Sequence, residues 1–260
     1  MNLDKKPMQR FRSGTLELAF LDEGSRDGAP VLLVHGFAST AHVNWVYPGW
    51  VKTLTEAGYR AIALDNRGHG ESDKPHDPGA YTAPIMAGDA LALLDHLGIE
   101  RAHVFGYSMG ARNSAFLAVK SPERVRRLIL GGLGSGLIEG VGDWNPIAEA
   151  LLADSLDDVT HPRGRMFRAF ADQTKSDRKA LAACITSREE LTPDQLQRLT
   201  MPVLVGIGTK DDIAGTPQAL ADLLPDGRAL DIPNRDHMLA VGDKVFKAAV
   251  LEFLAKDDAA

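Results

Sequence analysis

The sequence contains only one cysteine, Cys184, so the chain cannot form an internal disulfide bond. Long hydrophobic runs are also absent, because the longest apolar stretches, PVLLV (30–34) and PVLVGI (202–207), are far too short to span a bilayer. The first residues, MNLDKKPMQRFRSG, lack the apolar core of a signal peptide. We therefore expect a cytoplasmic protein with no membrane partner, in which Cys184 packs as a small apolar side chain.

Runs of like charge are missing too, and the formal net charge of −6 disfavours nucleic acid or an anionic membrane as the main partner. No residues have the spacing of metal ligands. The segment GGLGSG (131–136) is not a dinucleotide-binding motif, because Leu137 occupies the place of the third glycine. We therefore expect neither a metal nor an organic cofactor. The sequence predicts no particular oligomeric state.

Short apolar runs alternate with helix-like segments along the 260 residues. Buried strands that alternate with helices indicate an α/β fold with a mainly parallel sheet covered by helices on both faces. The predicted strands are TLELAFLDEG (15–24), PVLLVHG (30–36), YRAIALD (59–65), RAHVFGY (101–107), RVRRLILGG (124–132), MPVLVGIG (201–208) and GRALDI (227–232).

One region breaks this alternation. Residues 134–200 contain no convincing strand, only helical pieces such as NPIAEALLADSL, RMFRAFADQT and DRKALAACITS. A helical block between two strands of one sheet is expected to lie as a cap over the end of the sheet. We therefore predict a core formed by residues 1–133 and 201–260, and a helical cap or lid formed by residues 134–200.

The pentapeptide Gly106-Tyr107-Ser108-Met109-Gly110 matches the pattern G-x-S-x-G between a predicted strand and a predicted helix. In such a turn the serine takes a strained backbone conformation, and its hydroxyl is exposed above the carboxyl ends of the strands. The helix N-terminus and the N–H of Met109 then lie where they can stabilise an oxyanion. The alternative is a plain strand-to-helix turn.

A serine hydroxyl needs a base and an orienting carboxylate to act as a nucleophile at neutral pH. Among eight histidines, His237 follows the last predicted strand and precedes the final helix, so it is expected at the same sheet edge as Ser108. The strand MPVLVGIG also ends at this edge and is followed by Asp211 and Asp212. We choose Asp211 for its spacing from the strand end. In isolation, the segment KDD would be read as a solvated turn.

A second oxyanion donor is expected after the strand PVLLVHG, where Gly36 allows close approach and the N–H of Phe37 can face the serine. The charged loop DNRGHGES (65–72) is expected to hold neighbouring loops by hydrogen bonds. Candidates for an acyl pocket are Leu137, Ile138, Trp144 and Phe167, although such apolar stripes more often pack as core.

Taken together, these motifs resemble the α/β-hydrolase fold family over almost the whole chain. The matching pieces are HGF with Trp45 ten residues after His35, DNRGHGES, GYSMGA, GTKDD, and DH before the closing helix. The resemblance implies an eight-stranded, mostly parallel sheet with a helical cap and a serine hydrolase mechanism. Two residues depart from the usual pattern of the family. Relatives often have glycine at the positions of Ala111 and Asp236.

The resemblance also implies roles for single residues. Ser108 would be the nucleophile, His237 the base, Asp211 the acid, and Phe37 and Met109 the oxyanion donors. A serine nucleophile argues against the dehalogenase and epoxide hydrolase branches, which use aspartate.

We expect a carboxylesterase acting on small or medium acyl chains. Alternatives on the same residues are a lactonase, a cofactor-free perhydrolase, or a C–C bond hydrolase of a dienoic keto acid, whose carboxylate Arg112, Arg163 or Arg165 could bind. A ligand-binding receptor is the alternative from a different class.

Overall fold

The computed structural model describes residues 7–187 and 189–256. Outside the described residues lie 1–6 and 257–260 of the predicted core and Arg188 of the predicted cap. Residues 1–6 are also the start of the segment MNLDKKPMQRFRSG, which lacks the pattern of a signal peptide. Within the described residues, no helix is both long and apolar enough to cross a membrane.

Eight strands form one sheet in the described part of the chain, in the order β1-β2-β4-β3-β5-β6-β7-β8. The pairs β1–β2 and β2–β4 are antiparallel, and all other neighbours are parallel, which confirms the expected mostly parallel sheet. The strands are β1 (Gln9–Ser13), β2 (Leu16–Glu23), β3 (Pro30–Val34), β4 (Arg60–Leu64), β5 (Ala102–Tyr107), β6 (Val125–Gly131), β7 (Val203–Gly208) and β8 (Gly227–Ile232).

Helices cover both faces of the sheet. The central strands β4, β5 and β7 are therefore buried along their whole length. One face packs against α2 and α3, and the other against α1 and α10. The helices are α1 (Trp50–Glu56), α2 (Ala83–His96), α3 (Met109–Lys120), α4 (Gly136–Glu139), α5 (Asn145–Leu152), α6 (Pro162–Gln173), α7 (Arg178–Ile185), α8 (Pro193–Leu196), α9 (Pro217–Ala221) and α10 (Lys244–Ala255).

The segment between β6 and β7 contains α4 to α8, and no strand lies among its described residues. Helices α5, α6 and α7 meet in a third, smaller apolar cluster, which includes Ile147, Leu151, Ala171 and Leu181 and is joined by Ala38 from the loop after β3. This third cluster is separate from the two that flank the sheet, although the ends of the segment pack into one of those two. Its assignment as a cap, residues 134–200, remains a proposal.

Leu137 and Ile138 correct the sequence-based prediction of a pocket. Leu137 is fully buried in the cluster between the sheet and α2, α3 and α9, and Ile138 packs against the same cluster. The physical reason is that the short helix α4 follows β6 directly and lies against the core of the sheet. These two side chains are core residues, as the alternative reading of the stripe allowed.

Candidate active site

Ser108 lies in a tight turn between β5 and α3. Its backbone has φ 54° and ψ −117°, a strained conformation for a residue with a side chain. The turn is held by the Ser108 N–H, which donates to the Gly131 carbonyl at 2.7 Å. A side chain at Gly106 would collide with the backbone of Gly110, and one at Gly110 would collide with the Val34 carbonyl. The two glycines are therefore required by close backbone approach on either side of the serine.

His237 lies next to Ser108 and connects it to Asp211. The imidazole Nε2 is 3.0 Å from Ser108 Oγ, and Nδ1 is 2.7 Å from Asp211 Oδ2. Because a carboxylate only accepts hydrogen bonds, we assign the ring proton to Nδ1, which leaves Nε2 as the acceptor for the serine hydroxyl. The structure thus brings together the three residues that the sequence places in separate loops.

Asp211 is the carboxylate at this site. Its Oδ1 accepts hydrogen bonds from the N–H groups of Ile213 and Ala214, at 2.9 and 3.0 Å. Burial raises the pKa of this carboxyl, but the hydrogen bonds from His237 and the two backbone N–H groups outweigh burial and lower the pKa below its ordinary value. The neighbouring Asp212 points elsewhere, since its side chain is 80% exposed and lies 3.6 Å from Arg163.

The segment Gly36–Phe37 follows β3 and lies against the serine. The Gly36 N–H donates to Asn44 Oδ1 at 3.1 Å, and a side chain at Gly36 would contact Tyr107 and Ser108. Phe37 and Met109 line the same cavity as Ser108. The two predicted oxyanion donors therefore line the cavity into which the serine opens.

Two buried histidines hold the backbone around this segment by hydrogen bonds. His69 Nε2 accepts the Ala38 N–H at 3.1 Å, and His35 Nε2 accepts the Asn66 N–H at 3.0 Å. Burial lowers the pKa of His35 to about 4 and of His69 to about 3, so both rings are neutral at pH 7 and remain acceptors.

The loop 65–72 also holds its neighbours by hydrogen bonds, as predicted. Asp65 accepts from the Ala41 N–H in the loop after β3 at 2.7 Å, and from the Glu71 N–H within its own loop at 2.8 Å. The sequence-based reading gave this loop a structural role, but it did not single out His69 or Asn44. The available signal was that His69 belongs to DNRGHGES and that Asn44 directly precedes Trp45, which the resemblance links to HGF.

A small cavity of about 50 Å³ opens beside Ser108. It includes the predicted pocket residue Trp144 but not Phe167, whose ring packs outside it against Phe37 and Trp144, with centroids 5.5 and 5.7 Å apart. Most of the wall was not foreseen as pocket. The lining residues are Phe37, Ser108, Met109, Arg112, Gly132, Leu133, Val141, Trp144, Cys184, Ile185, Ser187 and Ile213.

Comparison with known proteins defines the class. The family model of the alpha/beta hydrolase fold matches residues 29–159. The candidate non-heme bromoperoxidase BpoC of Mycobacterium tuberculosis is 32% identical over 266 aligned residues, covering 92% of this chain and 98% of the relative. The chain therefore belongs to the alpha/beta hydrolase fold family, and it is an enzyme of that superfamily with a small-molecule substrate.

Two solved structures are similar over nearly their whole length. A hydrolase from Pseudomonas aeruginosa superposes with a TM-score of 0.78 at 26% identity, covering 95% of this chain and 98% of that one. A thermophilic esterase from Thermogutta terrifontis superposes with a TM-score of 0.73 at 27% identity, covering 97% of this chain and 99% of that one.

Proposed function

We propose that the protein is a serine hydrolase that cleaves carboxylic esters of small or medium acyl chain through an acyl-enzyme. The observation that carries this proposal is the continuous hydrogen-bonded chain from Asp211 through His237 to Ser108, which ends at a cavity. Serine catalysis needs a nucleophile and a base within hydrogen-bond reach of each other, and a third group that orients the base.

In the first step, His237 Nε2 takes the proton of Ser108 Oγ while that oxygen attacks the ester carbonyl carbon. The ring then donates the same proton to the leaving alcohol, and the acyl group stays on the serine. Water attacks the acyl-enzyme, His237 takes a proton from the water, and the carboxylic acid leaves as the proton returns to Ser108. Asp211 stays ionised throughout because its pKa is held low, and it stabilises the transient imidazolium.

The oxyanion of each tetrahedral intermediate would be held by the N–H groups of Phe37 and Met109. Such preorganised donors act in a site where little water competes with them. Met109 also begins α3, so the positive end of that helix dipole favours negative charge at the same place.

The cavity supports an acyl group of modest size. Its volume of about 50 Å³ compares with roughly 10–15 Å³ for one water molecule by the same measure. Val141, Trp144, Cys184 and Ile185 come from the segment 134–200 and form part of its largely apolar wall. We assign this segment the role of a cap that shapes the acyl pocket.

Turnover of 4-nitrophenyl acetate and butyrate, measured together with labelling by a fluorophosphonate, tests the proposal. Wild type should hydrolyse both esters and gain one covalent adduct, detected by intact mass. Ser108→Ala and His237→Ala should lose the adduct and at least about 10³-fold in kcat. His76→Ala changes an exposed histidine paired with Asp177 and serves as the control. A wild-type protein that neither turns over nor takes the label would overturn the proposal.

The relationship to BpoC supports a second candidate on the same residues, a cofactor-free perhydrolase. Hydrogen peroxide would replace water in the second step and attack the acyl carbon with its O–O bond intact. A peracid would leave, and the proton would return to Ser108. Peracid formation from an acetate ester and hydrogen peroxide should then exceed that of Ser108→Ala. Equal formation by both proteins would exclude this candidate.

A further inference from the structure

We propose that Asp236 is a positioning residue for His237. Its carboxylate caps a single helical turn, residues 237–240, and the capped turn keeps the imidazole beside Ser108. This inference rests on the proposed role of His237 as the base of ester hydrolysis. It concerns a residue by which this chain departs from relatives that often have glycine there.

The hydrogen bonds around Asp236 are those of a helix N-cap. Its Oδ1 accepts the N–H groups of Met238 at 3.0 Å and Leu239 at 2.8 Å. Its backbone carbonyl accepts the N–H of Ala240 at 3.0 Å, which closes the turn. An N-cap residue has this pattern, because its side-chain oxygen takes the N–H groups two and three residues on while its carbonyl takes the first helical hydrogen bond. His237 is therefore the first residue of the capped turn.

The capped turn depends on this side chain for its stability. A single helical turn is unfavourable by itself, because forming it fixes about six backbone dihedral angles for one hydrogen bond. Apolar packing adds little here, since Met238 and Leu239 are 63% and 59% exposed and Ala240 is the buried apolar residue of the turn. The carboxylate of Asp236 adds two hydrogen bonds to the one that closes the turn.

The chain just before His237 is held by the end of β7. The Lys210 N–H donates to the Arg235 carbonyl at 2.9 Å, and a side chain at Gly208 would collide with that same carbonyl. Lys210 directly precedes Asp211, so the strand end that carries the proposed acid also fixes the start of the loop that carries the base. The capped turn fixes the chain on the other side of the imidazole.

An aspartate brings a hydrogen-bond acceptor and a negative charge to this position, and two substitutions separate them. Asp236→Asn keeps an acceptor oxygen without the charge, and asparagine is as good an N-cap as aspartate. Asp236→Ala removes both. If the cap positions His237, the asparagine variant should behave like wild type. If the charge acts on the imidazolium instead, both variants should lose activity alike.

Steady-state hydrolysis of 4-nitrophenyl acetate and the second-order rate constant of fluorophosphonate labelling measure the effect. We expect Asp236→Ala to lower kcat by about 5- to 30-fold with little change in KM, because the base is less often in place while the cavity is unaltered. The labelling rate should fall by a similar factor, since the probe reacts with the same activated serine. Asp236→Asn should restore kcat to within about threefold of wild type.

Asp77→Ala is the matched control. Asp77 caps another short helical turn, Pro78–Tyr81, by accepting the Gly79 N–H at 3.0 Å, and it does not line the cavity. It should keep kcat within about twofold of wild type, and the unfolding temperature shows that each variant is folded. An unchanged kcat in Asp236→Ala, an equal loss in Asp236→Asn, or an equal loss in Asp77→Ala would overturn this inference while ester hydrolysis stood. Absence of labelling and of all turnover in wild type would instead overturn the proposed function itself.

Discussion

The phenolic hydroxyl of Tyr107 donates a hydrogen bond of 2.6 Å to the backbone carbonyl of His237. Tyr107 directly precedes Ser108, and its ring lies 5.6 Å from the His237 imidazole, centroid to centroid. Burial raises the pKa of this phenol, so the hydroxyl stays protonated and remains a donor. The loop that carries the proposed base is thus tied to the residue beside the proposed nucleophile by a contact outside the Asp211–His237–Ser108 chain.

We predict that Tyr107→Phe lowers kcat for 4-nitrophenyl acetate by about 3- to 10-fold and changes KM little. One net hydrogen bond is worth about 1 kcal/mol, and its loss lets the His237 loop sample positions away from Ser108. Steady-state kinetics check this, with Tyr47→Phe as the control, because Tyr47 is exposed on the surface. Equal losses in the two variants would show that the hydrogen bond does not position His237.

The buried pair His35 and His69 should make stability depend on pH. Their rings are 5.2 Å apart, and burial lowers the pKa values to about 4 and about 3, from about 6.5 in the unfolded chain. Below pH 6.5 the unfolded chain therefore binds protons that the folded protein does not bind until about pH 4. The free energy of unfolding should be at its full value above pH 6.5 and decrease as the pH falls.

Each histidine can contribute at most about 1.4 kcal/mol per pH unit within that window. Urea unfolding at pH 7.5, 6.5, 5.5 and 4.5 measures the slope. His69→Gln keeps a side-chain acceptor near the Ala38 N–H but cannot titrate, so it should reduce the slope. Carboxylates with lowered pKa values, such as Asp211, change the free energy of unfolding only at lower pH. A slope that His69→Gln leaves unchanged would contradict the prediction.

The Cys184 thiol should be unreactive in the folded protein. It is buried beside the proposed oxyanion donor Met109, with Sγ 3.6 Å from the Met109 sulfur, and burial raises its pKa from about 9 to about 12. The thiolate fraction at pH 8 then falls by about 10³-fold relative to the unfolded chain. With a disulfide reagent such as DTNB, we expect one fast thiol per chain in urea and none in buffer. Rapid reaction of the folded protein would show that the cavity admits the reagent.

Two aspartates on α2 allow a matched test of burial. Asp89 forms a bidentate ion pair with Arg67 at 2.6 and 2.7 Å, and both side chains are buried. Asp95 lies at the same distance from Arg124, 2.7 Å, but its side chain is 66% exposed. Asp89→Ala should cost about 3–5 kcal/mol because it leaves a buried cation without its partner. Asp95→Ala should cost less than about 1 kcal/mol.

Urea unfolding of both variants at pH 7 and one salt concentration gives the comparison. The catalytic constants per folded molecule should change in neither variant, since neither aspartate lines the cavity. Equal destabilisation by the two substitutions would show that burial does not set the strength of these pairs.

The structure confirms the seven strands predicted from the sequence; six of them bury runs of apolar residues, whereas β8 is mostly exposed. The remaining strand, β1, has no run of buried apolar residues. Arg10 and Arg12 are exposed, and Phe11 is its one buried residue. It is an edge strand that pairs with β2 alone, so its existence depends on a partner rather than on its own residues. Only the family resemblance implied it.

At the candidate site, the closeness of Ser108, Asp211 and His237 was predictable from the sequence. Each of them follows a strand end, and the strand ends of a parallel sheet meet at one edge. The cavity wall was not predictable in the same way. Which face of α7 points at Ser108 depends on how α5, α6 and α7 pack on one another, and a single helical stripe does not encode that. For this reason the sequence does not predict that Cys184 and Ile185 line the cavity. Leu137 and Ile138 do not line it, because α4 lies against the core of the sheet.

The proposed nucleophile and base are 129 residues apart in the chain. During synthesis, the residues of the turn that presents Ser108 are therefore made well before those of the His237 loop. Contacts of such long range form late and slowly in folding, because the chain must close a large loop before they stabilise it. A partly made or partly refolded molecule would hold a serine with no base to activate it, so catalysis begins only when the last strand joins the sheet.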